Sequence, residues 1–226
     1  MAAQREPAAQ TGMSVGRLEA FSDGVLAIVV TLLILDIHVP RAAGGHLGRE
    51  LAAQWPQYVA YLASFLVVGI IWINHHATVQ LLARADHTVL VLNLLLLLSV
   101  SVLPWPTAVL AEYLRDGTPA DQRVAVLLYG ITSCCMALTF NTLWHYLLRH
   151  DELRHEHATR ASLAVRNRRF NVGLALYPAV TLIGLVSVTA FIALTLGAAI
   201  LYLLPTPEIR GRRPGRDIDG VTDAPA

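Results

Sequence analysis

The chain has 226 residues, 55% of them hydrophobic and only 15% charged, with a mean hydropathy of +0.52 and a formal net charge of +1. Such a composition is too apolar for an ordinary water-soluble domain and points to the bilayer as solvent. The near-zero net charge says little by itself, because it averages over two membrane surfaces of different bias. Crossing a hydrocarbon core of roughly 30 Å takes about 20 residues of helix, and the chain offers six such stretches, which predicts an all-α polytopic membrane protein with six transmembrane helices.

In chain order, residues 1–13 are Ala/Gln-rich without apolar periodicity and are expected to be disordered. The first span covers about 18–39, the second 57–77, the third 88–110 and the fourth 124–148. Residues 172–204 form a run of 33 residues, roughly 50 Å of helix at about 1.5 Å per residue, so two short helices with a tight turn near 184–189 are expected. Pro104 and Pro106 are positioned to break the third span, and Pro178 to kink the fifth. Residues 205–226 carry four prolines and mixed charge and again suggest disorder, which leaves 14–204 as the transmembrane domain. The first span follows an acidic and arginine-containing head, lacks a small-residue cleavage site and is continued by five more, so it is expected to be retained rather than removed as a signal peptide.

The chain has no lysine, and all 17 basic residues are arginine. With six spans both termini share a side; 13 arginines fall on that side, and only Arg41, Arg49, Arg115 and Arg123 fall on the other. The positive-inside rule therefore puts both termini in the cytoplasm and the protein in the cell membrane. The longest connection, 149–170, mixes i,i+4 opposite charges with helix formers and is expected to be helical extension plus a basic, solvated turn. Its histidines, His150, His155 and His157, lack the HExxH spacing that puts two imidazoles on one helical face, so no metal site is assigned there. Cys134 and Cys135 are adjacent in the fourth span and cannot form an ordinary bridge, so they are taken as core residues. No phosphate loop, nucleophile elbow or metal-ligand spacing is present, which argues against an enzyme and against a bound cofactor. The arginine-rich segments serve topology, and nucleic-acid binding has no independent support.

Two residues are out of keeping with the first span. An ionisable group at membrane depth costs about 2.5–3.5 kcal/mol on insertion scales. Asp36 falls at the far interface, where water reaches it. Asp23 lies near the start, where either the helix dipole and free backbone N–H groups, with Ser22 helping as a cap, or partners on another helix would satisfy it. The second span ends in Trp72-Ile73-Asn74-His75-His76. A hairpin of spans one and two brings that end to the depth of Asp23, which can then meet Trp72, Asn74 or His75 and fix the rotation of the first helix. At about 100° per residue with Ile28 at zero, Leu32 falls at about +40°, Leu35 at −20°, Thr31 at −60° and Asp23 at −140°. An aliphatic stripe with one threonine thus faces away from the acidic residue.

The head Arg17-Leu18-Glu19-Ala20-Phe21-Ser22-Asp23-Gly24-Val25, followed by Ala27-Ile28 and Thr31-Leu32-Leu33, resembles the R-x-x-x-F-S-D signature of the transmembrane protein 175 potassium channels in their single-repeat prokaryotic form. The Trp72-x-Asn74-His75-His76 cluster is similar to that family's second-helix pattern. The resemblance implies a homotetramer of six-helix chains in membrane lipid, with helix one of each chain lining a central pore that lacks a TVGYG filter. It implies aliphatic rings at Ile28, Leu32 and Leu35, a selectivity contribution from Thr31, and monovalent cations, K⁺ above all, as the permeant species. Arg17, Phe21, Ser22 and Asp23 would then be structural or gating residues tied to Trp72, Asn74 and His75, rather than ion ligands. A narrow aliphatic ring discriminates through the cost of dehydration, so modest selectivity for K⁺ over Na⁺ is expected. His75 and His76 offer a source of pH sensitivity. The rival from another class is a proton-coupled secondary transporter using Asp23 and His75 as a relay.

Overall fold

Backbone N–H and C=O groups have no water to bond in lipid, so apolar runs of this length satisfy them internally as helices. The computed structural model describes residues 14–40, 45–155 and 160–203. Eight α-helices are described: α1 (Val15–Leu32), α2 (Leu47–Ala53), α3 (Trp55–Val79), α4 (His87–Ser101), α5 (Pro104–Asp116), α6 (Pro119–Arg149), α7 (Arg160–Gly184) and α8 (Val188–Leu203). One-turn 3₁₀ segments at Leu33–Asp36 and Asp151–Leu153 extend α1 and follow α6. The expected disorder of 1–13 and 205–226, and His157, fall outside the described residues.

Among the described residues, four segments are long and apolar enough to cross a membrane: Val15–Asp36, Trp55–Val79, His87–Asp116 and Pro119–Arg149. The shorter α8 is also apolar, while α7 opens on a basic stretch and becomes apolar only beyond Phe170. The long last run is divided by a turn at 185–187, where the N–H groups of Leu185, Val186 and Ser187 bond back to Thr181 and Ile183. Pro178 stays inside α7. The third run is two helices, not one: α4 stops at Ser101, and Pro104 and Pro106 start α5, because proline lacks the N–H that a continuing helix needs but fits the first turn of a new one.

The helices pack as a bundle in which α6 lies against α4, α5 and α7, while α1 lies against α3 and α4, and α8 against α3 and α7. At Gly130 α6 comes close to α7: a Cβ there would sit 2.3 Å from the Thr181 side chain. Small residues let membrane helices approach in this way, where apolar burial gives little drive. The Ser64 hydroxyl of α3 meets Thr107 of α5 at 2.8 Å and Tyr129 of α6 at 3.0 Å, a fully buried three-helix polar knot. Cys135 is exposed and Cys134 half-buried, so the pair is not the core couple expected. On α6 the core positions go instead to Tyr129, Met136, Phe140 and Trp144.

The turns at one end are cross-tied. Ala83 N–H bonds to Leu153 C=O at 2.9 Å and His155 N–H to Leu81 C=O at 2.9 Å, so the α3–α4 connection is stitched to the segment after α6. Asp86 caps α4, accepting from Val89 N–H at 2.8 Å and from the Tyr146 hydroxyl of α6 at 2.6 Å. Partial burial pushes the Asp86 carboxyl up, but the Tyr146 and Val89 hydrogen bonds outweigh it and hold the group below its ordinary value.

Candidate functional site

Helix α1 has two faces. Leu18, Ser22, Leu26, Val29 and, in the following 3₁₀ turn, Leu33 recur at spacings of three and four and are buried, forming one stripe on the side packed against α3 and α4. On the other side Arg17, Phe21, Gly24, Ile28, Thr31, Leu32 and Leu35 are exposed. Ile28 is 59% exposed, Leu32 42% and Leu35 70%, which for large aliphatic side chains marks a face left largely uncovered by the described residues. The Thr31 hydroxyl donates to Ile28 C=O at 2.8 Å, so its oxygen keeps acceptor capacity toward the exposed side.

Asp23 does not sit at the helix start. Helix α1 begins at Val15, with Ser14 as cap residue, eight residues before Asp23. The carboxylate is therefore beyond the four free N–H groups of the first turn, and the helix dipole does not satisfy it. Trp72 does: its indole Nε1–H donates to Asp23 Oδ1 at 3.0 Å. Ser22 is no cap either; it is fully buried and donates to Leu18 C=O at 2.9 Å.

His75, also fully buried, does not bond to Asp23 but to Asn93 on α4: Nε2–H donates to Asn93 Oδ1 at 2.7 Å, and Asn93 Nδ2–H donates to Ser22 Oγ at 2.9 Å. A chain of hydrogen bonds thus runs from α3 through α4 to α1. The Nδ1 of His75 is buried with no hydrogen-bond partner among the described residues, consistent with a neutral ring whose proton is on Nε2. Asn74 is turned away from Asp23 and lines a cavity between α3, α6, α7 and α8 together with Asn141 and Tyr202. Of the three partners considered for Asp23, the structure joins it to Trp72 and gives the other two different neighbours.

A second layer lies one turn outside. His76 Nδ1 is 2.9 Å from Glu19 Oε1, its Nε2 is 2.9 Å from the Gln80 carboxamide, and its ring stacks on Trp72 with centroids 6.0 Å apart. At the opposite end Asp36 is half-buried beside His38, Gln57 and Glu112, in a groove open to the surface. Sequence reasoning missed Asn93 and the pairing of Glu19 with His76. The available signal for Asn93 was a lone amide in the leucine-rich stretch of α4, a residue lipid cannot satisfy.

The helical bundle, the apolar segments long enough to span a bilayer and the polar clamp at membrane depth define an all-α membrane protein. Residues 17–104 match the model of the family described as "Endosomal/lysosomal potassium channel TMEM175". A potassium channel of Streptomyces collinus is 47% identical over 190 residues, 84% of this chain and 89% of the relative. The crystal structure of a lysosomal potassium-selective channel TMEM175 homolog from Chamaesiphon minutus is 36% identical, with a TM-score of 0.73 over 83% of this chain and 95% of that one. A human relative, described as an endosomal/lysosomal proton channel, is 30% identical over 86% of this chain but 40% of its own length. The chain belongs to the TMEM175 channel family.

Proposed function

We propose that the protein is a potassium channel of the cell membrane, built from four copies of a six-helix domain spanning 14–204, with both termini in the cytoplasm and α1 of each copy lining a central pore. In this assignment α7 and α8 are the fifth and sixth spans, and α4 and α5 together make the third. Rings of Ile28, Leu32 and Leu35 form the constriction, with no TVGYG filter, and Thr31 adds a hydroxyl beside them. The observation that carries the reading is the unpartnered aliphatic face of α1, opposite a side bonded to α3 and α4 by Trp72–Asp23 and His75–Asn93–Ser22. A narrow aliphatic ring resists wetting and passes the more weakly hydrated K⁺ ahead of Na⁺, so selectivity is modest. Arg17, Phe21, Ser22, Asp23, Trp72, Asn74 and His75 set the position of α1 and the assembly rather than coordinate the ion. The chemistry is passive permeation, which needs no catalytic group and no cofactor.

The rival, a proton-coupled transporter with Asp23 and His75 as relay, is disfavoured because each of these side chains has its own partner and no hydrogen bond joins them. Single-channel recording of the purified protein under a K⁺/Na⁺ gradient, with proton flux followed in parallel, separates the two. A channel gives discrete K⁺ conductance that Ile28→Ala and Leu32→Ala alter; saturable, proton-coupled flux unchanged in both variants would overturn the pore assignment.

A further inference from the structure

We propose that Glu19, Asp23 and His76 form a binding site for one divalent transition-metal cation of the zinc class, tying the head of α1 to the end of α3. Each of the three side chains offers a ligand atom, and these atoms all lie within 4.8 Å of one another in a half-buried position. Glu19 and Asp23 are four residues apart on α1, so both carboxylates project from one helical face. His76 reaches them from α3, with Nδ1 already 2.9 Å from Glu19 Oε1. Ligands about 2.0–2.1 Å from a tetrahedral Zn²⁺ are separated by roughly 3.3 Å, so a cation fits with small side-chain rotations.

One further observation points to a ligand here. The Nδ1 atom of His76 is shielded from solvent yet has no well-directed hydrogen bond, despite the nearby carboxylate. Its other nitrogen is held by the Gln80 carboxamide at 2.9 Å. As placed, the Gln80 amide N–H donates to Nε2 and leaves the ring proton on Nδ1 toward Glu19; a bound cation would displace that proton, and the carboxamide turned end for end would then accept from Nε2–H. This is the usual outer-shell support of a metal-bound histidine. Trp72 contributes twice, donating to Asp23 Oδ1 while leaving Oδ2 available, and stacking on the His76 ring.

One imidazole and two carboxylates suit zinc or cobalt. Magnesium and calcium prefer all-oxygen shells, and copper(I) prefers thiolates. Water completes the fourth position, since the site is only half enclosed. Binding replaces whatever proton the Glu19–His76 contact holds, and it adds a bond between α1 and α3 that does not depend on how many chains assemble.

The test is calorimetric titration of the chelator-stripped full-length protein in detergent with ZnCl₂, and separately with MgCl₂. One Zn²⁺ per chain is expected, with a rise in melting temperature and no Mg²⁺ heat. His76→Gln and the isosteric Glu19→Gln each weaken binding at least tenfold, and His76→Cys, which supplies a thiolate, restores it. If His76→Gln fails to fold, Glu19→Gln decides. Absence of Zn²⁺ binding by the unaltered protein, or wild-type affinity and stoichiometry in Glu19→Gln, would overturn the site and leave Glu19–His76 a plain ion pair.

Discussion

The two faces of α1 are made from the same helix and equally apolar residues, yet one is fully engaged and the other bare. The buried stripe carries a serine that hydrogen-bonds to an asparagine of α4 and thence to a histidine of α3, and an aspartate beside it is held by a tryptophan. The exposed stripe leaves Ile28, Leu32 and Leu35 largely uncovered by the described residues. The difference shows how a membrane protein fixes helix rotation. Aliphatic contacts against lipid and against protein are nearly equivalent, so directional polar bonds decide which aliphatic face points where.

Substitutions on the two faces therefore separate into those that unfix the helix and those that leave the fold alone. Asn93→Leu should have the largest effect on stability: it strands the buried Nε2–H of His75 and cuts the link to Ser22, at a cost of about 1–3 kcal/mol. The loss is measurable as a fall in melting temperature of the detergent-purified protein. Trp72→Phe removes only the donor to Asp23 at a more exposed position, and a loss of about 1 kcal/mol is expected, with helix content in circular dichroism retained.

Asp86→Ala sharpens the comparison from outside the clamp. It deletes the α4 cap and should cost about 1 kcal/mol. Because the folded Asp86 carboxyl lies below its unfolded value, its contribution is fully present above pH about 3.9 and is lost as pH falls through the lower folded value. The stability difference between wild type and Asp86→Ala should thus narrow in strong acid, read from melting temperatures across pH. Leu35→Gln, on the bare face, should change stability of the chain by no more than about 0.5 kcal/mol while altering conductance. A fall in stability as large as that of Asn93→Leu would erase the distinction between the faces.

Much of this was legible in the sequence. Span-length apolar runs marked the helices, and the excess length of 172–204 marked the turn that falls at 185–187. The angle between Asp23 and the Ile28 stripe was calculable, and Trp72 was among the partners inferred for Asp23. What was not legible depends on depth and on a third helix. A helix start misplaced by three residues made Asp23 look like a first-turn carboxylate, and no local pattern says that Asn93 of α4, rather than Asp23, receives His75. The pairing of Glu19 with His76 was hidden for a related reason, because a charge at a helix head is ordinarily solvated.

The most direct test is thiol modification in a background with Cys134 and Cys135 replaced by alanine. Ile28→Cys is placed on the bare face of α1, and Leu94→Cys, exposed on α4 away from that face, serves as the comparison. A membrane-impermeant, charged thiol reagent should react at position 28 and change K⁺ flux through reconstituted protein, while position 94 stays unreactive and its flux unchanged. Unaltered K⁺ flux after complete modification at position 28 would contradict a pore lined by α1.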